Sequence, residues 1–194
     1  MTNARSFRTG LTAALMLVLV LAPVGLAAEG GGSGGIDPSG DPGAGGADGG
    51  GGPAATPTSD GVFPIIGAHT YGDGLGAGRN HQGQDLIAKC GKPIVAAQGG
   101  RVQVNDTHAS AGNYVVIKSK STRTDQVYMH MISPSRLAEG ERVRTGEKIG
   151  RVGTTGNSST CHLHFEKWSA PGWYKGGSVL DPTPSLKRWD RAGR

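Results

Sequence analysis

The sequence predicts an all-β domain, an antiparallel sheet folded as a sandwich or in a barrel-like form, with little helix. Three observations predict it. Short β-rich runs recur between Phe63 and Glu166, breaks containing Gly separate them, and apolar residues at helical spacing are scarce. Many short strands at close spacing favour a sheet architecture over a helical one.

Taken in order, PIVAA at 93–97 and RVQVN at 101–105 flank Gly99 and Gly100, a hairpin signal. NYVVIKS at 113–119 is a strand that ends in the polar turn SKSTRTD, and DQVYMHM at 125–131 is the next strand. ERV at 141–143 and KIGRVG at 148–153 surround a turn at Thr145 and Gly146. HLHFEKW at 162–168 closes the series. ISPSRLAEG at 132–140 has room for one helical turn, because Ser133 and Pro134 suit a helix start. No long-period repeat interrupts this pattern.

The sheet occupies only part of the 194 residues. Residues 1–28 read as a secretory signal: Arg5 and Arg8, then ALMLVLVLAPVGL, then small residues around Gly25, Ala27 and Ala28. As a retained anchor the apolar run is short and is broken by Pro23 and Gly25. Residues 29–60 are dominated by Gly with Pro, Ala, Ser and Asp, and Ile36 is their one large aliphatic residue. Such a stretch buries too little apolar surface to offset its ordering entropy, so a disordered linker is expected. That leaves a domain at 61–186 and a basic tail at 187–194. Export to the cell wall or beyond is the expected destination. No segment after the signal is long and apolar enough to span a bilayer, and a monomer is expected.

Charge narrows the partners. Residues 1–28 hold two of the twenty Lys and Arg, and residues 29–60 hold five of the fifteen acids and no base. The remainder therefore carries 18 basic and 10 acidic side chains, formally +8. That excess suits an anionic polymer. An exported chain would meet its own cell wall rather than nucleic acid, and no aromatic-rich basic stripe of the single-strand-binding kind is present.

The two cysteines are Cys90 and Cys161. In an oxidising compartment a disulfide between them is the expected state. The rival is a metal site using Cys161. Its strand parity is opposite to that of His162 and His164, which disfavours that rival.

The histidines carry the chemistry. In CHLHFE, 161–166, the period-two alternation of a strand puts His162 and His164 on one face, with Leu163 and Phe165 turned to a core. His81 opens HQGQDL, four residues before Asp85, in a loop entering a strand. His130 lies in YMHM, mid-strand, where a core histidine is the usual occupant. Three separated segments thus supply His81, Asp85, His130, His162 and His164. Catalytic zinc sites use three protein ligands and leave a fourth position for water. Four imidazoles and one carboxylate suffice for three ligands and two proton-handling groups.

HQGQDL, YMHM, GEKIGRVGTTGNSSTCHLHFE and the preceding GKPIVAAQGGRVQV resemble the LytM-type, or M23-family, zinc metallopeptidases that cut peptidoglycan peptides. The resemblance runs from about Phe63 to Glu166. It implies a LytM-type β domain with one Zn2+. His81, Asp85 and His164 would be the ligands, and His162 and His130 would be the catalytic imidazoles beside the metal water. It implies a secreted endopeptidase hydrolysing a cross-bridge or stem peptide of peptidoglycan with zinc-activated water. The alternative is a non-catalytic module of the same fold that binds the wall or regulates another wall hydrolase. Two departures are mild: Met131 stands where the family commonly has Leu, and Cys161 where many relatives have Pro or another residue. A lipoyl- or biotinyl-like carrier shares the style of the 91–104 and 143–153 segments. Such a carrier needs a modified lysine at a hairpin tip, and Gly99 and Gly100 occupy that tip here.

The remaining candidates are weaker. His69 and His108 fall in loops and read as surface histidines. Glu166 shares the parity of His162 and His164, and either orients a ligand or ends the strand in a salt bridge. Trp168, Trp173 and Tyr174 form an aromatic cluster that lines a groove or packs over the sheet end. The tail KRWDRAGR touches anionic polymer or is disordered. Asn113 and Thr155 lie near the motifs with no chemistry to assign.

Overall fold

The computed structural model describes residues 60–78 and 80–194. The expected signal, and all of the expected linker except Asp60, lie outside the described residues. The strands are β1 (Thr70–Tyr71), β2 (Gln84–Ile87), β3 (Pro93–Val95), β4 (Gly100–His108), β5 (Gly112–Ser119), β6 (Asp125–Met131), β7 (Arg142–Val143), β8 (Lys148–Arg151), β9 (His162–Trp168) and β10 (Val179–Leu180); one helix, α1 (Thr183–Ala192), follows.

The main sheet runs β1-β2-β9-β6-β5-β4-β7, with β10 also on β9, and β3 pairs with β8 in a separate ribbon. All pairings are antiparallel. The alternation of β9 holds. Leu163 and Phe165 are fully buried in one cluster with Leu86, Ile117 and Tyr128, and that cluster also takes Ile94 of β3 and Ile149 of β8. On the opposite face Val116, Val127, Met129 and Trp168 form a smaller cluster.

The expected sandwich or barrel-like form is corrected. The domain is mostly antiparallel sheet with one short helix, and the main sheet is an open path whose end strands do not pair. Closure needs unbroken hydrogen bonding between the end strands. Here both ends, β1 and β7, are two residues long, and a two-stranded ribbon takes the place of a full second sheet. Short, unpaired edges limit the template they offer another chain.

The hairpin expected at Gly99 and Gly100 is also absent: β3 pairs with β8, and β4 with β5 and β7. The glycines serve close approach instead. A Cβ on Gly100 would collide with the carbonyl of Lys118, and one on Gly99 would press on Val143 and Thr145. Residues 132–140 hold turns and no helix. The helix lies where a tail was expected. Pro182 precedes it and Pro184 occupies its first turn. Leu186 and Trp189, three residues apart, are buried in the main core.

Cys90 and Cys161 form the expected disulfide. It joins the segment after β2 to the residue before β9. Among the described residues no helix is long and apolar enough to cross a membrane.

Candidate metal centre

Strand register builds the centre. On β9, His164 lies directly opposite Asp85 of β2 on one side and Met129 of β6 on the other. Residues directly opposite share a face, so Asp85 and His164 meet without help from a loop. His81 arrives from the turn before β2. Gly83 lets that turn lie against β9, because a Cβ there would clash with the Phe165 carbonyl and the His164 ring.

His130 reaches the site by a different route. Simple alternation would turn it to the main core beside Tyr128. Between the pairs Val115↔Tyr128 and Asn113↔Met131, however, β6 has two residues and β5 has one. This is a β-bulge, which re-aims side chains. His130 takes φ 62° within it, a left-handed conformation uncommon for a non-glycine residue and typical of functional sites. The bulge is pinned from several sides. The His130 N–H donates to the Ala111 carbonyl at 2.9 Å. Asn113 Nδ2 at 3.0 Å and Thr155 Oγ1 at 2.8 Å both donate to the Met131 carbonyl. The Asn113 N–H in turn donates to Thr155 Oγ1 at 3.0 Å.

His81, Asp85 and His164 offer one ligand atom each, all within 4.8 Å of one another. His81 Nε2 is 3.1 Å from Asp85 Oδ1 and 3.0 Å from His164 Nδ1, and the latter two are 2.9 Å apart. Tetrahedral coordination with bonds near 2.0–2.1 Å would set such atoms about 3.3 Å apart. The opposite ring nitrogens are committed elsewhere. His81 Nδ1 donates to the Gly74 carbonyl at 2.8 Å, and His164 Nε2 to Glu166 Oε1 at 3.1 Å. Each partner accepts only, so each committed nitrogen carries the proton. The facing nitrogens are thereby free to point lone pairs, with the Asp85 oxygen, at one place. Three convergent acceptors suit one cation, and the trio is consistent with a mononuclear metal site.

The other two imidazoles are fixed in the same manner. His130 Nδ1 donates to the Thr155 carbonyl, and His162 Nδ1 to the Thr160 carbonyl, both at 2.8 Å. Their Nε2 atoms are left for the cleft. The His162 Nε2 lies 3.6 Å from Asp85 Oδ1, and the His130 and His162 rings are 4.7 Å apart.

Protonation follows the surroundings. Burial disfavours a charged His164, yet its hydrogen bonds to Asp85 and Glu166 outweigh burial and hold its pKa up to about 9. Without metal, a proton on Nδ1 thus stands where a cation would bridge to Asp85. Burial raises the Asp85 carboxyl, but the His164 hydrogen bond and the nearby imidazoles bring it below its ordinary value. For His130, burial outweighs the Thr155 carbonyl and pushes the pKa down to about 4. Its ring is therefore neutral at neutral pH.

Glu166 resolves toward the site. Its carboxylate is buried and accepts from His164 Nε2, from Trp168 Nε1 at 2.6 Å and from Trp173 Nε1 at 3.1 Å. It is a positioning residue for His164. Glu166→Gln is expected to weaken metal affinity about 10–100-fold, because an amide puts an N–H where a third acceptor contact was. Competition with a chromogenic chelator would measure it, and an unchanged affinity would show that β9 alone orients His164.

The centre opens into a cleft of about 610 Å³, lined also by Gln82, His108, Ser110, Trp173 and Tyr174. Trp173 and Tyr174 thus line the groove, while Trp168 is buried in the sheet. His108 is exposed, as expected, but it ends β4 rather than lying in a loop. His69 is corrected: it is part-buried, stacked on Phe63 at 4.1 Å and 3.4 Å from Asp190. Gly74 and Thr160 act through backbone carbonyls, which leave no trace in side-chain identity.

An open antiparallel sheet with a His–Asp–His cluster and two further imidazoles on one cleft defines a metallopeptidase-type centre. Residues 79–182 match the sequence profile of peptidase family M23, and the chain belongs to that family. Among its relatives, the glycyl-glycine endopeptidase ALE-1 of Staphylococcus capitis is 33% identical over 57% of this chain and 30% of its own length. The DD-carboxypeptidase/endopeptidase Mpg of Neisseria meningitidis is 37% identical over 68% of this chain and 28% of its own. The chain thus spans under a third of either relative. The catalytic domain of the antimicrobial peptidase lysostaphin from Staphylococcus simulans superposes with a TM-score of 0.56 at 28% identity, over 61% of this chain and 92% of that one.

Proposed function

We propose that this chain is an exported zinc endopeptidase that hydrolyses peptide bonds of peptidoglycan. The observation that carries the reading is the convergence of His81, Asp85 and His164, with the two imidazoles each turned by a fixed outer partner, beside the Nε2 atoms of His130 and His162. By their names, ALE-1 is a glycyl-glycine endopeptidase and another relative, ShyC of Vibrio cholerae, a peptidoglycan DD-endopeptidase, which supports the substrate class.

His81 Nε2, Asp85 Oδ1 and His164 Nδ1 would hold the zinc. When bound, zinc polarises a carbonyl and makes water acidic near pH 7. His162 and His130 would take the proton of the attacking water at Nε2, return it to the departing amine, and donate to the oxyanion between those steps. Residues 1–28 support export, and one zinc and a monomer complete the reading.

The test is direct. The chain supplied with zinc is expected to release defined peptide fragments from purified peptidoglycan, identified by mass spectrometry, and the chelated chain none. The fragment masses name the bond. Zinc binding without any fragment would instead favour a non-catalytic wall-binding module.

A further inference from the structure

The structure assigns a second surface, at the end of the sheet away from the metal centre, as a binding site for a phosphodiester polymer of the cell wall. β4 spans nine residues, about 26 Å at the usual rise. His108, at one end, lines the metal cleft. Gly99, Gly100 and Arg101, at the other, floor a separate groove of about 860 Å³.

The groove is lined by Arg101, Lys118, Lys120, Arg123, Arg142 and Arg144, and the lining contains one acid, Glu147. Lys118 is neutralised by buried Asp125 at 2.9 Å, and Arg144 faces Glu147 at 3.5 Å. Arg101 donates to the Gly140 carbonyl, a neutral acceptor, and has no ion pair among the described residues. Lys120, Arg123 and Arg142 are exposed and have no ion pair among the described residues. Four cations are therefore available to a ligand.

Their placement is costly to the free protein. Arg101 lies directly opposite Arg142 on β7 and Lys118 on β5. Two unpaired cations, Arg101 and Arg142, thus stand in a row with the Asp125-paired Lys118 across three neighbouring strands, on one face, at strand spacing. Like charges directly opposite destabilise a sheet, and an anion lying along the row removes that penalty. Guanidinium forks match phosphate oxygens in pairs. No aromatic ring lines the groove, so it lacks the stacking platforms that hold single-stranded bases. What remains is recognition of a charged backbone. The choice of a wall polymer among polyanions rests on the proposed peptidoglycan reading; the binding itself does not. Such tethering would hold the peptidase at its substrate.

Labelled poly(glycerol phosphate) is the probe, titrated by fluorescence anisotropy. Saturable binding that weakens steeply with salt is expected, as counterion release requires. Reversing two charges together, Arg123→Glu with Arg142→Glu, is expected to lower affinity at least about tenfold. Retention within twofold would overturn the site, and tighter binding of an oligonucleotide of equal charge would overturn the wall polymer as its partner. A folding-independent arm is Arg142→Gln. It is expected to raise the Tm of the free chain, and added polymer is expected to raise the wild-type Tm more than that of the variant; equal shifts would overturn the assignment. His81→Ala is expected to bind the polymer as wild type does, so the groove and the peptidase reading can fail separately.

Discussion

Replacing His81 by alanine is expected to abolish both stoichiometric metal and the release of peptide from peptidoglycan, whereas replacing His130 is expected to abolish turnover alone. The difference follows from position. His81 Nε2 is one of three atoms that converge within 4.8 Å; without it, Asp85 and His164 are left as a two-ligand site, fewer than catalytic zinc centres use. His130 is outside that trio, and its Nε2 faces the cleft with no structural duty. Loss of a general acid–base group costs about 10²–10⁴ in rate. His130 also holds a left-handed backbone conformation, so alanine there confounds chemistry with strain. His130→Asn separates them, since asparagine tolerates that region and lacks the imidazole. Metal content by elemental analysis, read beside kcat and KM, distinguishes the outcomes. A His130→Asn chain with full metal and full kcat would leave His162 to carry the proton transfers unaided. A His130→Asn chain without metal would make the bulge a support of the ligands.

The legible and illegible parts of this site differ in kind. His162 and His164 were readable as neighbours on one face because period-two alternation is local geometry, and β9 obeys it. The spacing of His81 and Asp85 alone was a weak signal in a loop, and the assignment of His81, Asp85 and His164, rather than His162, as ligands came from the family resemblance. His130 was not readable from alternation: an unbroken strand would have buried it beside Tyr128, and only the extra residue of the bulge turns it to the cleft. The clue lay in Asn113 and Thr155, whose side chains pin the bulge, but a bulge is set by pairing between distant strands. Sheet closure failed for a similar reason. Counting short strands gives no information on whether the first and last can pair, and β1 and β7 do not. Gly99 and Gly100 looked like a turn because a turn and a close backbone approach both select glycine. The terminal helix did carry a local signal, Leu186 and Trp189 on one face behind Pro184, which the basic residues of KRWDRAGR outweighed in a reading by charge.

Removing the disulfide, as Cys90→Ser with Cys161→Ser, is expected to cost about 4 kcal/mol of stability, because the bond closes a 71-residue separation in the unfolded chain. For a domain of this size that loss corresponds to a fall of roughly 10–20 °C in Tm, measurable by thermal denaturation with and without reductant. The more informative quantity is zinc affinity in the folded variant. The disulfide ends one residue before His162 and three after Ile87, so it joins the exit of β2, which carries Asp85, to the entry of β9, which carries His164. If it positions those ligands, affinity falls together with stability. The geometry argues otherwise. Four directly opposed residue pairs already fix β2 on β9, and Glu166 and Gly74 orient the rings without reference to either cysteine. The expected result is a large loss of Tm with zinc affinity changed less than threefold at 25 °C, where the variant remains folded. A Tm within about 3 °C of wild type would mean that the reduced chain is already confined, by residual structure, to the ensemble the disulfide selects.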